Sequence, residues 1–282
     1  MPTNSHPLHV LEHGPLRKSV FGVRKRKVYR YMSSKPSGMR MTQVAKHYET
    51  LLADYYSWMF GVPFAEKVSE QADLLRKLGL HGGSLAIDLG SGSGFQSIAL
   101  AQIGYARVHA LDTSAALLSE LEERAVELQI KTHNEDLLNF RERVEEKADA
   151  IICMGDTLTH LARYSDVKRL FAEAEHGLSA SGKFVLSWRD LTDVAQGLDR
   201  FIPLRATDDA IMTCFIEDVG DVVLVHDLIH KRTTDGWSFH RSAYPKLKLS
   251  TEWVLEALSE AGLEGNASTH GRGMEVVIAH RR

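Results

Sequence analysis

The sequence predicts an α/β protein, a doubly wound sheet with helices packed on both faces. Three observations carry that expectation. Apolar runs of strand length recur, each ending at acidic or small residues: Leu85-Ala86-Ile87-Asp88, Ala106-Arg107-Val108-His109-Ala110-Leu111-Asp112 and Ala148-Asp149-Ala150-Ile151-Ile152-Cys153-Met154. Stretches with apolar residues at helical spacing alternate with them. A glycine loop, Gly90-Ser91-Gly92-Ser93-Gly94, follows the first run where a buried strand turns sharply into a helix.

The loop has the order D-x-G-x-G-x-G from Asp88 to Gly94. The dinucleotide fingerprint G-x-G-x-x-G fails in both registers, because Phe95 or Ser97 stands where its third glycine belongs. An acid ahead of the first glycine is poorly suited to a pyrophosphate. It suits a ligand with an ammonium group or sugar hydroxyls and no phosphate. The helix start beyond the loop offers free N–H groups to such a ligand. A glycine turn in some other α/β protein is the plain alternative, and only context separates the two.

The context begins with Asp112, 24 residues after Asp88. A carboxylate at the end of a second strand can accept from both ribose hydroxyls, or it can act as an N-cap. Thr113-Ser114 read as the cap of a helix over 115–128. On Asp88, the three glycines and Asp112, the chain resembles the class I S-adenosylmethionine-dependent methyltransferases. The ligand expected is therefore S-adenosylmethionine.

That resemblance implies a Rossmann-like sheet of seven strands, the last one antiparallel, with the cofactor at the carboxyl ends of the first strands. It implies adenine contacts from Asp136 and Leu137 in Thr132–Leu138, with Glu135 competing for the role. It also draws attention to Gly155-Asp156-Thr157-Leu158-Thr159-His160 after the fourth strand. This segment resembles glycine N-methyltransferase-like members that methylate small amines and other metabolites. His160 can take a proton from the acceptor, or it can cap a helix or bond a backbone carbonyl. The cofactor set expected is Asp88, Gly90, Ser91, Gly92, Gly94, Asp112, Thr113, Asp136, Leu137, Met154 and Gly155. The acceptor set expected is Tyr48, Asp156, Thr157, Trp188, Arg189, Arg241 and Tyr244.

The remaining segments follow from periodicity. Residues 42–79 read as helices, with Val44, Tyr48, Leu51 and Leu52 on one face and Val68, Ala72, Leu75 and Leu78 on the next. In many such methyltransferases these helices cover the cofactor. Tyr48, Tyr56 and Trp58 are candidates to face a sulfonium by cation–π attraction, or else simply core aromatics. A helix over 165–178 is capped by Ser165, and a fifth strand runs over 182–190. Trp188 and Arg189 fall at its carboxyl end. Arg189 can meet a substrate carboxylate, or pair with Asp190 or Asp193. Then three strands, 210–216, 222–230 and 237–244, are punctuated by Gly220-Asp221 and Asp235-Gly236. They form an antiparallel sheet inserted before the last helix, 251–261. In the resembling family such an insertion walls the acceptor pocket, where Arg241, Tyr244, His226 and His240 are candidates. A final strand spans 274–280.

The organisation expected is thus a basic segment 1–41 and a methyltransferase domain 42–282. The latter divides into a helical cap (42–80), a cofactor-binding core (81–200), an inserted sheet (201–248) and a C-terminal helix with strands (249–282). With 282 residues, 44% of them hydrophobic, the chain is long enough for one elaborated domain. The net charge is −3, but the first 40 residues hold nine Lys/Arg against one acid, Glu12, which leaves −11 for the rest. Three readings of the basic segment stand: a disordered tail or overlong start, an organellar targeting peptide, or a nucleic-acid arm. The acidic remainder argues against a large nucleic-acid footprint. Two cysteines without metal-ligand spacing suggest free thiols, no metal site and a reducing, cytoplasmic setting. No apolar stretch reaches the ~18–20 residues that cross a bilayer.

The function expected is methyl transfer from S-adenosylmethionine to N or O of a small-molecule acceptor, by a possible homo-oligomer. Two rivals have their own signatures. An RNA or protein methyltransferase docking through residues 1–41 predicts salt-sensitive RNA binding lost on their deletion. A non-catalytic S-adenosylmethionine-binding protein predicts binding without turnover.

Overall fold

A computed structural model describes residues 43–271 and 273–282. The expectations placed on residues 1–41 lie outside the described residues. Beyond them the chain is helical, as the spacing predicts. Helix α1 (Gln43–His47) passes through a π-helical turn, Tyr48–Leu52, into α2 (Ala53–Met59). Helix α3 (Phe64–Lys77) buries Val68, Ala72 and Leu75 and stops just before Gly79, whose φ of 78° turns the chain away.

The first strand, β1 (Gly83–Leu89), leads through the glycine loop into α4 (Phe95–Gln102). Then come β2 (Tyr105–Asp112), α5 (Ala115–Arg124), β3 (Ile130–Asn134), α6 (Phe140–Arg143), β4 (Ala148–Cys153), α7 (Tyr164–Gly177) and β5 (Leu178–Arg189). An inserted block of β6 (Phe201–Ala206), β7 (Ala210–Val219), β8 (Val222–Thr233) and β9 (Gly236–Leu247) precedes α8 (Thr251–Glu260). Strands β10 (Leu263–His270) and β11 (Met274–Arg281) close the chain.

The main sheet has seven strands in the order β10-β11-β5-β4-β1-β2-β3. Strands β1 to β5 pair in parallel, and β11 lies antiparallel between β5 and β10. Both faces are covered, so the central strands are apolar throughout. Ile87 and Leu89 point into one buried cluster and Ala86 into the other. The chain winds outward from β1 through β2 to β3, then restarts at β4 on the other side of β1. That reversal opens a crevice at the carboxyl ends of β1 and β4. The glycine loop and the segment Gly155–His160 both emerge there.

Some boundaries differ from the sequence expectation. The helix expected over 115–128 ends at Arg124. Arg163, not Ser165, occupies the N-cap of α7, and Ser165 lies inside its first turn. Strand β5 starts at Leu178, well before Gly182. The inserted sheet has four strands rather than three, in the order β6-β7-β8-β9. Its extra member, β6, is an edge strand containing Pro203, the residue that argues against a strand in sequence. Strand β10, Leu-Glu-Gly-Asn-Ala-Ser-Thr-His, is likewise an edge strand without apolar alternation. Among the described residues, no helix is long and apolar enough to cross a membrane.

Candidate functional site

The glycine loop is pinned on three sides. Gly90, Gly92 and Gly94 have φ of 78°, 53° and 95°, which L side chains rarely adopt. A Cβ at Gly90 would strike Thr157, one at Gly94 would strike Leu121 of α5, and one at Gly92 would press on the Tyr56 ring at 3.2 Å. The N–H groups of Gly90 and Ser91 both donate to the Leu111 carbonyl, at 2.8 and 3.0 Å. Asp88 lies beneath the loop, buried, and accepts from the Ser97 hydroxyl at 2.6 Å. Burial raises its carboxyl to about 7, against the lowering effect of Ser97. Asp88 thus fastens β1 to α4.

Asp112 divides its carboxylate. One oxygen accepts from the Gly92 N–H at 2.8 Å, the other from the Ser114 N–H at 2.8 Å. Burial pushes its pKa up, and these N–H groups oppose that. Ser114 caps α5 through the Leu117 N–H, and Thr113 is exposed beside it. Asp136 accepts from the Leu138 N–H at 2.9 Å and caps a short 3-10 turn, Leu137–Asn139. Leu137 packs against the core. Glu135, the competitor for the adenine role, is held by Arg143 and Asn139.

The end of β4 brings the acceptor candidates together. Met154 is buried. Gly155 (φ 73°) is exposed, with open space where a Cβ would stand. Asp156 also has positive φ, 75°, and is a buried hub. It accepts from the Arg189 N–H at 2.7 Å, from the Arg189 guanidinium, and from Lys246 of β9 at 3.0 Å. Burial alone would raise its pKa, but Lys246 and then Arg189 hold it well below the usual carboxylate range. Thr157 donates to the Met154 carbonyl at 2.9 Å and wedges its methyl against Gly90.

His160 ends the 3-10 turn Thr157–His160. Its ring meets Tyr48 and Tyr244 edge-on, at 5.9 and 5.5 Å. Burial, with Lys246 adding its charge, drops its pKa to about 3, so the imidazole is neutral at ordinary pH. Over it stands His47, which pairs with Asp227 of β8 at 2.9 Å and lies 4.2 Å from the Tyr244 ring. Cys214 of β7 donates to the other Asp227 oxygen at 3.2 Å. Tyr48 and Tyr56 close the roof, 6.0 Å apart.

A group of polar atoms in this region has no protein partner among the described residues. His160 Nε2, His47 Nδ1 and Ser91 Oγ are fully buried without a hydrogen bond. Buried polar groups are nearly always paired, so these three atoms each call for a partner beyond the described protein atoms.

Other expected residues fall elsewhere. Trp188 is fully buried in the core, and its indole N–H donates to the Leu249 carbonyl at 2.9 Å. Arg241 is exposed over Phe239 on the opposite face of β9 from Tyr244, as alternation requires. Trp58 packs on Arg205, His226 meets Glu217, and His240 meets Ser238. The sequence reading missed His47, Asp227 and Lys246. Their pairings cross 180 and 90 residues, and no local pattern signals them.

Residues 86–182 match the sequence profile of the methyltransferase domain. Residues 86–182 thus carry a methyltransferase domain. Its curated relatives include a glycine/sarcosine N-methyltransferase of Aphanothece halophytica, 30% identical over 45% of this chain and 48% of that one. Another, of Parasynechococcus marenigrum (strain WH8102), is 26% identical over 67% and 66%. The chain thus spans about half to two thirds of the length of these relatives. The methyltransferase fold recurs in the CcbJ methyltransferase of Streptomyces caelestis, with a TM-score of 0.69 and 17% identity over 83% of this chain and 97% of that one. It recurs in the S-adenosylmethionine-bound amino pentose methyltransferase CalS10 of Micromonospora echinaspora, with a TM-score of 0.68 and 16% identity over 82% and 97%. In this methyltransferase domain the orphaned Ser91 hydroxyl, the Asp112 carboxylate and the glycine cradle that a Cβ would fill fit S-adenosylmethionine.

Proposed function

We propose that this chain transfers a methyl group from S-adenosylmethionine to the nitrogen of a small amine. The observation that carries the reading is the set of buried, unpartnered polar atoms running from Ser91 at the glycine loop to His160 and His47 beneath the inserted sheet. In this reading the cofactor is held over Gly90, Gly92 and Gly94, with its ribose at Asp112. Asp136 and Leu137 take its adenine, and Thr113, Met154 and Gly155 flank it. Tyr48 and Tyr56 offer aromatic rings to its sulfonium. When bound, S-adenosylmethionine supplies a methyl carbon that is already electrophilic.

The protein must then align a neutral lone pair and keep water out. A hydroxyl acceptor has to shed a proton to become a good nucleophile. His160 is a weak base, and Lys246 and Arg189 are engaged with Asp156. A neutral amine needs only orientation. His160 Nε2 accepts its N–H and aims its lone pair, with Tyr48 and Tyr244 walling the space. The names of the curated relatives, glycine/sarcosine N-methyltransferases, also favour nitrogen. The inserted sheet, residues 201–248, forms the far wall. Two buried, unpaired cysteines support a reducing, cytoplasmic setting.

The direct test is S-adenosylhomocysteine release with glycine, sarcosine, other small amines, alcohols and RNA as acceptors. Amines are expected to turn over; activity on alcohols or RNA alone would overturn the reading. Asp112→Ala is expected to weaken S-adenosylhomocysteine binding by about 1–3 kcal/mol in calorimetry. Unchanged affinity would remove Asp112 from the ribose site. His160→Gln is expected to lower kcat about ten-fold and leave the shape of the pH–rate profile unchanged, since a group with a pKa of about 3 does not titrate near neutrality. Loss of a limb near pH 6.5 in that variant would instead make His160 the base.

A further inference from the structure

We propose that the outward face of the four-stranded sheet β6-β7-β8-β9 is the contact between two copies of this chain. Alternation sorts the sheet into two faces. Cys214, Asp227 and Tyr244 point inward to the site. The outward set includes Phe201, Ile211, Trp237 and Phe239, which are large, apolar and between 39% and 49% exposed. Register places them side by side: Phe201 faces Phe215, which faces His226, and Ile211 faces His230, which faces Phe239. Arginines lie flat on these rings, Arg200 over Phe215, Arg232 over Trp237 and Arg241 over Phe239.

Aromatics with arginine, and few lysines or carboxylates, are the composition of a protein–protein interface core. The size also fits. Four strands at about 4.8 Å spacing, each some ten residues at about 3.3 Å, present roughly 600 Å² before side-chain relief is counted. A stable pair buries about 800 Å² per partner.

Two features select a second copy as the occupant. The outward-pointing charges are split, with exposed Glu217 toward one end of the sheet and Arg232 and Arg241 toward the other. A two-fold axis lying in the plane of the contact, across the line from Glu217 to the arginines, brings each glutamate over the partner's arginines, as an isologous interface allows. The net −11 beyond the first 40 residues opposes a polyanion or an anionic lipid surface.

Sedimentation of the full chain over a micromolar concentration series tests this. A dimer is expected. Phe239→Glu should raise its dissociation constant at least about thirty-fold. Glu217→Arg and Arg241→Glu should each weaken it, and the two together should restore it, with circular dichroism unchanged throughout. A monomer at every concentration would overturn the proposal. So would a dimer indifferent to Phe239→Glu, a charge swap that restores nothing, or a dimer lost on deleting residues 1–41.

Discussion

Replacing Asp156 with alanine is expected to destabilise the fold by about 3–5 kcal/mol, the effect of stripping the counter-charge from a buried pair. The carboxylate is buried and joins three elements: the turn after β4, the end of β5 and, through Lys246, strand β9 of the inserted sheet. Lys246 is itself mostly buried and would be left without its partner. Arg189 is about half exposed, so water makes good part of its loss and it adds little to the total. The sign with pH follows from the lowered pKa. A depressed carboxylate stabilises the fold above its unfolded value of about 3.9, and that stabilisation is lost only as pH falls below it. The gap between wild type and Asp156→Ala in urea unfolding should therefore be constant from about pH 5 to 8 and narrow below about pH 4. A companion change, Lys246→Met, should recover part of the loss, because it removes the orphaned charge. A loss under about 1 kcal/mol for the single variant would show that the hub is a surface pair in effect.

Asp156 also shows what the sequence could and could not disclose. The glycine loop was legible because its chemistry is local. Positive φ, a buried carboxylate and a helix start lie within ten residues of each other. The central parallel strands β1 and β4 were legible for the same reason, since burial on both faces makes each an apolar run, whereas β3, Ile-Lys-Thr-His-Asn, offers no such run. The proposed acceptor site was only half legible. His160 and Tyr244, both candidates for it in the sequence, meet edge-on at 5.5 Å. His47 and Asp227, however, are 180 residues apart, and nothing near either one marks it as a partner. Edge strands β6 and β10 were invisible because an edge tolerates proline and polar residues that a central strand rejects. Arg241 was assigned to the wrong face. Alternation gives only parity, and parity becomes direction only when one face is known to be buried.

Trp188 carries the second large effect, and it separates packing from recognition. Its place at the carboxyl end of β5 suggested a substrate contact. The structure turns it instead into the core, where it is fully buried and bonded to the Leu249 carbonyl. Trp188→Ala is therefore expected to cost about 3–5 kcal/mol through the cavity it leaves. For a domain of this size that lowers the melting temperature by roughly 10 °C. Trp188→Phe keeps most of the packing but strands the Leu249 carbonyl, at about 1–3 kcal/mol. If Trp188 touched the acceptor, both variants would raise the acceptor KM well below their melting points. Because its side chain is fully buried in the core, KM at about 20 °C should match wild type in both, while thermal inactivation moves to lower temperature. A raised KM with an unchanged melting curve would return Trp188 to the acceptor site. It would also imply that the end of β5 opens toward the proposed acceptor site in solution, with the Leu249 bond broken.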